Sequence, residues 1–144
     1  MELKEKIKSV ILAPLEVEDD RMIGVELEDF IYNKKSERIM VNPGSEYSAS
    51  DLLKTLIDLQ VNDKYKAYYS IEPGGQIEWA STPRRSLHDV QIELNNHQKR
   101  LNHLLTTYQL EKIDLAVEPI YLPNEIDFID HKKYKLMHEL FIRT

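Results

Sequence analysis

Cysteine is missing from this 144-residue chain. Its absence excludes a disulfide framework, a zinc–thiolate centre and a cysteine nucleophile. Glycine is scarce, with four residues, and neither a Walker-type phosphate loop nor a G-x-G-x-x-G turn occurs. No H-E-x-x-H or G-x-S-x-G pattern is present either. His88, His97 and His103 fall on one predicted helix, but not at zinc-binding spacing with acidic partners. Long apolar runs are lacking too. The stretch from Val10 to Leu15 is short and holds Pro14, so no membrane span is expected. The start, Met1-Glu2-Leu3-Lys4-Glu5-Lys6, is too charged for a secretory signal, which makes the cytoplasm the default location. Positive charge is in deficit: a net charge of -6 argues against a general nucleic-acid binder, which would carry a basic patch.

What remains is the composition of a globular protein, 42% hydrophobic and 31% charged. Residues 1–144 fit one domain long enough to bury a real core. Leu3, Ile7, Val10 and Ile11 recur at helical spacing over residues 2–12, and Pro14 stops that helix. Met22 to Asn33 alternates as a strand. After the polar turn Asn33-Lys34-Lys35-Ser36, Glu37 to Val41 is expected to return as its hairpin partner. Ser48 or Ser50 caps a helix running to about Leu59, with Leu52, Leu53, Leu56 and Ile57 on its buried side. Lys66–Glu72 and Gln76–Ala80 form a hairpin around Pro73-Gly74-Gly75.

A long helix is predicted from about Pro83 to Tyr108. Leu87, Leu94, Leu101 and Tyr108 recur every seven residues, and Val90, Leu104 and Leu105 fill the stripe. His97 falls on the same stripe, where a hydrogen-bonded packing role is favoured over ligation. Asp114 to Leu122 is predicted as a strand ended by Pro123, and His131 to Arg143 as a final helix. Hairpin-length connections between strands favour α+β, with an antiparallel or mixed sheet flanked by helices, over a doubly wound parallel sheet.

Two strands carry paired acids. Residues two apart on a strand share a face, so Glu26 and Glu28 point one way while Ile23, Val25 and Leu27 point the other. Gln76 and Glu78 are opposed in the same way to Ile77 and Trp79. Such pairs are either a solubilising face or a site for hard divalent cations, which prefer oxygen ligands. Arg84 and Arg85 follow the second pair. They are either solvated residues or a contact for phosphate or a substrate carboxylate. Tyr65, Tyr68 and Tyr69 are most simply strand-forming packing.

The segment Glu72-Pro73-Gly74-Gly75-Gln76-Ile77-Glu78, followed by Pro83 and Ser86-Leu87-His88, resembles E-P-G-G-Q-x-E-x-S-x-x-P-x-x-x-x-H of the glutamate–cysteine ligases. The resemblance is to the plant and proteobacterial type, within the carboxylate–amine ligase superfamily. Upstream, Gly24-Val25-Glu26-Leu27-Glu28-Asp29-Phe30 is similar to the family's G-x-E-x-E-x-F strand. Downstream, Glu93-Leu94-Asn95-Asn96-His97 resembles its E-x-N-x-H helix, and Tyr134-Lys135-Leu136-Met137 its R-Y-x-x-M segment, with Lys133 in place of the arginine. Trp79-Ala80-Ser81 stands where the family has Leu-Ser-Gly.

The resemblance implies a fold related to the catalytic sheet of glutamine synthetase. It also implies an ATP-dependent enzyme of glutathione biosynthesis that phosphorylates the γ-carboxylate of glutamate and couples it to the amine of cysteine. Glu26, Glu28, Glu72 and Glu78 would be the ligands of Mg²⁺ (or Mn²⁺), and Gln76 and Arg84 the candidate catalytic residues. The chain is expected to be the N-terminal part of a longer ligase domain, and an unpaired sheet edge would favour self-association. Two alternatives are a ligase using another small amine and a non-catalytic binding or regulatory module of the same fold.

Overall fold

The computed structural model describes residues 2–12, 21–115 and 117–142. Its elements run α1 (Leu3–Leu12), β1 (Glu26–Asn33), α2 (Ala49–Leu59), β2 (Tyr68–Ile71), β3 (Ile77–Ala80), α3 (Leu87–Thr107), β4 (Leu110–Ile113) and α4 (Lys132–Ile142), with a short 3-10 turn at Pro123–Glu125. The strands form one sheet in the order β2-β3-β1-β4, every neighbour antiparallel. The fold is α+β, as expected.

Register divides the sheet into two faces. Leu27 lies opposite Trp79, and Trp79 opposite Tyr69. This row, with Ile31 and Ile77, packs against Leu52 and Leu56 of α2 and Leu101, Leu104 and Leu105 of α3. The opposite face carries Glu26, Glu28, Phe30 and Tyr32 of β1 and Glu78 of β3. Helices α2 and α3 therefore cover one side of the sheet, and the acids lie on the other, with Lys133 of α4 near Glu72.

Local chemistry explains the boundaries. Ser48 is the α2 cap: its side chain accepts from Asp51 N, while Asp51 accepts from Ser48 N at 3.0 Å, a reciprocal pair. Between β2 and β3, Gly75 N donates to Glu72 O at 2.8 Å and Glu72 N to Gln76 O at 2.9 Å. These bonds close a three-residue loop that needs a left-handed residue at its end. Gly75 fills that position at φ 83, and an added Cβ would stand 2.8 Å from Val41 Cγ2. Gly75→Ala is therefore expected to cost about 1–3 kcal/mol, read as a lower urea midpoint at unchanged slope.

The structure corrects three expected elements. Glu37–Val41 returns beside β1 as a single bridge, Arg38 to Tyr32, and the ladder neighbours of β1 are β3 and β4. The long helix starts at Leu87 on a Ser86 cap rather than at Pro83. Residues before it stay extended, with Arg84 N donating to Ile23 O at 2.9 Å. The seven-residue repeat also drifts, because a straight helix turns every 3.6 residues. Leu87 is 65% exposed and Tyr108 41%, while Val90, His97, Leu101, Leu104 and Leu105 are buried. Finally, the expected strand Asp114–Leu122 is displaced to Leu110–Ile113. Past it the chain turns back to the acidic face. Glu118 accepts there from Tyr32 Oη, and from the amides of Ile120 at 2.9 Å and Tyr121 at 3.2 Å. Pro119 has no donor with which to extend a ladder.

The terminal helices follow the expected spans, although Pro14 and Arg143 lie outside the described residues. The apolar positions of α1 (Leu3, Ile7, Val10 and Ile11) are all exposed. Accessible surface totals 10524 Å², against roughly 7,700 Å² for a compact chain of this mass.

Candidate functional site

On the acidic face, Glu28 sits directly opposite Glu78 in the β1–β3 ladder, and Glu26 opposite Ala80. Like charges facing each other across a ladder repel. Ser70, the β2 neighbour of Glu78, donates its hydroxyl to Glu78 Oε2. Glu72 ends the same strand pair. Partial burial raises its carboxyl above the ordinary value, followed by the hydrogen-bonding and charge of Glu78 and the charge of Glu28; Lys133 partly offsets them. Glu28, Glu72 and Glu78 thus form one electrostatic cluster, with Lys133 at its margin. Glu26 lies one step along the strand on the same face.

Gln76 closes the turn beside these acids, and its Oε1 is buried without a hydrogen-bond partner. Among the described residues no three acidic or imidazole groups converge closely enough to enclose an ion as they stand. The donor chemistry still fits a hard divalent cation: mutually repelling carboxylates on rigid strands, and an amide oxygen left unpaired. Glu28, Glu72, Glu78 and Gln76 would be the residues to receive one, with Glu26 at the edge. Glu26 and Glu28 also border an open cleft of about 670 Å³ between Glu26–Phe30, Gln98 of α3, and Lys112, Asp114 and Leu115.

Arg84 is placed elsewhere. Its Nε donates to Glu93 Oε1 at 2.6 Å, and its guanidinium lies 3.5 Å from the centroid of the Tyr65 ring. Glu93 also accepts from Thr82 N at 2.9 Å and belongs to α3, the helix packed on the Trp79 side. Arg84 therefore fastens the extended 82–84 segment to α3, and the structure does not bring it to the carboxylates. His97 matches its expected packing role. It stacks on Trp79 with ring centroids 5.1 Å apart, and its Nδ1 lies 3.0 Å from Tyr69 Oη.

Two polar clusters were not foreseen. Asp29 is buried on the apolar face, with Lys112 Nζ 3.1 Å from its Oδ1 and His97 Nε2 3.8 Å from its Oδ2. The sequence carried a signal for this one. Asp29 has the parity of Val25, Leu27 and Ile31, so it had to be buried and partnered. The second cluster is Arg38 with Glu118, each side chain 10% exposed. It sits over the Phe30 and Tyr32 rings, with the guanidinium carbon 5.0 and 5.7 Å from their centroids. Its partners lie 80 residues apart, and no local pattern announces them.

No helix among the described residues is long and apolar enough to cross a membrane. No curated protein matches the chain. The family model for glutamate-cysteine ligase family 2 (GCS2) matches residues 22–143, a span that holds both acidic strand pairs and the Pro-Gly-Gly turn. The chain belongs to glutamate-cysteine ligase family 2.

Proposed function

We propose that this chain carries part of the catalytic face of an ATP-dependent ligase that joins the γ-carboxylate of glutamate to the amine of cysteine by way of a γ-glutamyl phosphate. The observation that supports the proposal is that Glu28 and Glu78 face each other across the β1–β3 ladder while both act electrostatically on Glu72. Phosphoryl transfer is catalysed by positioning and charge neutralisation, and bound Mg²⁺ or Mn²⁺ would supply the latter. The chain's own contribution is to hold those ions through Glu28, Glu72 and Glu78, with Glu26 beside them. The Gln76 amide oxygen would line the same site. Activation as an acyl phosphate needs no protein nucleophile, which suits a chain without cysteine.

The chain would act within a larger catalytic domain of the glutamine-synthetase kind, in the cytoplasm. The exposed apolar residues of α1, and the outer edges of β2 and β4, which have no ladder partner among the described residues, support the larger domain, since unpaired strands are normally covered.

The test is ADP release from ATP, Mg²⁺, glutamate and cysteine, by the chain and by its extended reading frame. Cysteine-dependent release is expected, falling about a hundredfold or more in Glu78→Gln, because removing a ligand also loses the charge it neutralises. Release unaffected by Glu78→Gln would remove Glu78 from the site. Faster release with another amine would reassign the acceptor. No release from the extended frame would favour a non-catalytic module.

A further inference from the structure

The acidic turn is held from outside. Arg38 donates through Nη2 to Gly74 O, the central carbonyl of the loop between Glu72 and Gln76, while its Nη1 pairs with Glu118 Oε2. Ile129 N donates to Pro73 O at 2.9 Å, and Val41 packs where a Gly75 Cβ would be. The guanidinium lies on the acidic face, above Phe30 and Tyr32. One planar fork thus joins the turn to the chain beyond β4.

We propose that Arg38 is a positioning residue: it sets the loop that aims Glu72 and Gln76 at Glu28 and Glu78, with Glu118 orienting its guanidinium. As a role in the ligase site, this rests on the function proposed above. Lysine cannot replace it. An ammonium carries the same charge but cannot hold a carbonyl and a carboxylate in one plane. The hydrogen bonds of Arg38 go to Gly74 O and Glu118 and not to Glu28, Glu72 or Glu78. Arg38 acts on the residues that would hold the ions, as outer-shell partners orient ligands elsewhere.

The experiment compares the chain, Arg38→Lys and the surface control Lys34→Met by amide hydrogen exchange and by Mn²⁺ binding in electron paramagnetic resonance. In Arg38→Lys the Gly75 amide, bonded to Glu72 O, is expected to exchange about tenfold faster or more, with the Trp79 amide in β3 within about twofold of the parent. Mn²⁺ affinity is expected to fall about tenfold, and Lys34→Met to change neither. Unchanged Gly75 exchange in Arg38→Lys would overturn the proposal, as would equal acceleration at Gly75 and Trp79. If the parent chain binds no Mn²⁺, the metal assignment fails, and Gly75 exchange still decides whether Arg38 sets the turn. Should Arg38→Lys not fold, the parent chain decides: slow-exchanging Arg38 guanidinium protons with a nuclear Overhauser effect to Gly74 are expected, and their absence would overturn it.

Discussion

Trp79→Ala is expected to lower stability by about 3–5 kcal/mol, enough to shift thermal unfolding by roughly 10–20 °C in a domain of this size. Trp79 is 1% exposed and is the largest fully buried side chain among the described residues. It sits in the middle of the sheet, opposite Leu27 on one side and Tyr69 on the other. Its indole also supports the His97 ring. Truncation would thus open a cavity between sheet and α3 and unseat the imidazole that meets Tyr69. Trp79→Phe keeps an aromatic surface and is expected to cost about half as much. Urea denaturation of both variants, followed by far-ultraviolet circular dichroism, checks the order. An Ala variant as stable as the parent would mean that the Trp79 face is not the core.

The consequence reaches the acidic face, because Trp79 and Glu78 are neighbours pointing to opposite sides of one strand. The bulk of Trp79, a departure from the Leu-Ser-Gly of the resembled family, is absorbed wholly on the helix side. Glu78 keeps its place opposite Glu28.

This alternation is also why the acidic site was legible in the sequence. A period of two fixes which residues of one strand share a face without any knowledge of tertiary contacts, so Glu26 could be placed with Glu28, and Gln76 with Glu78, from their spacing. The Pro-Gly-Gly turn was equally local, and it brings in Glu72 and Gln76. What spacing does not encode is which strand lies beside which. Glu37–Val41 follows β1 by a short turn and has suitable residues, yet it makes a single bridge, while the ladders of β1 are with β3 and with β4, about eighty residues on. Arg84 was misplaced for a related reason. Nearness in sequence to Glu78 suggested the site, whereas Glu93 and Tyr65, which hold it, lie nine residues after it and nineteen before it. Ion pairs between distant segments, such as Arg38 with Glu118, leave no periodic trace at all.

Asp29→Asn is expected to cost about 2–3 kcal/mol at neutral pH, since it removes the charge of a buried carboxylate and leaves the partly buried Lys112 half-paired. The remaining partner, Asp114, is itself largely exposed. The pH dependence identifies the cause. Burial pushes the Asp29 carboxyl up, but the His97 imidazole and the Lys112 ammonium outweigh it and hold the group below its ordinary value of 3.8. A depressed folded-state carboxyl contributes stability that is fully present above the unfolded value and is lost as pH falls through the folded one. The gap between the parent and Asp29→Asn should therefore be widest above about pH 5 and close as the pH drops below about 4. The variant should still lose some stability in acid. Burial pushes Glu118 up as well, but Tyr32, the Ile120 and Tyr121 amides and Arg38 hold it below its ordinary value, and it titrates in both proteins. Unfolding free energies measured by urea at several pH values decide the matter. A constant difference from neutral pH into acid would mean that Asp29 acts through its shape and not its charge. A difference that narrows below its ordinary value would establish Asp29 with Lys112 as the ion pair that fastens β4 to β1, along the border of the cleft into which Glu26 and Glu28 open.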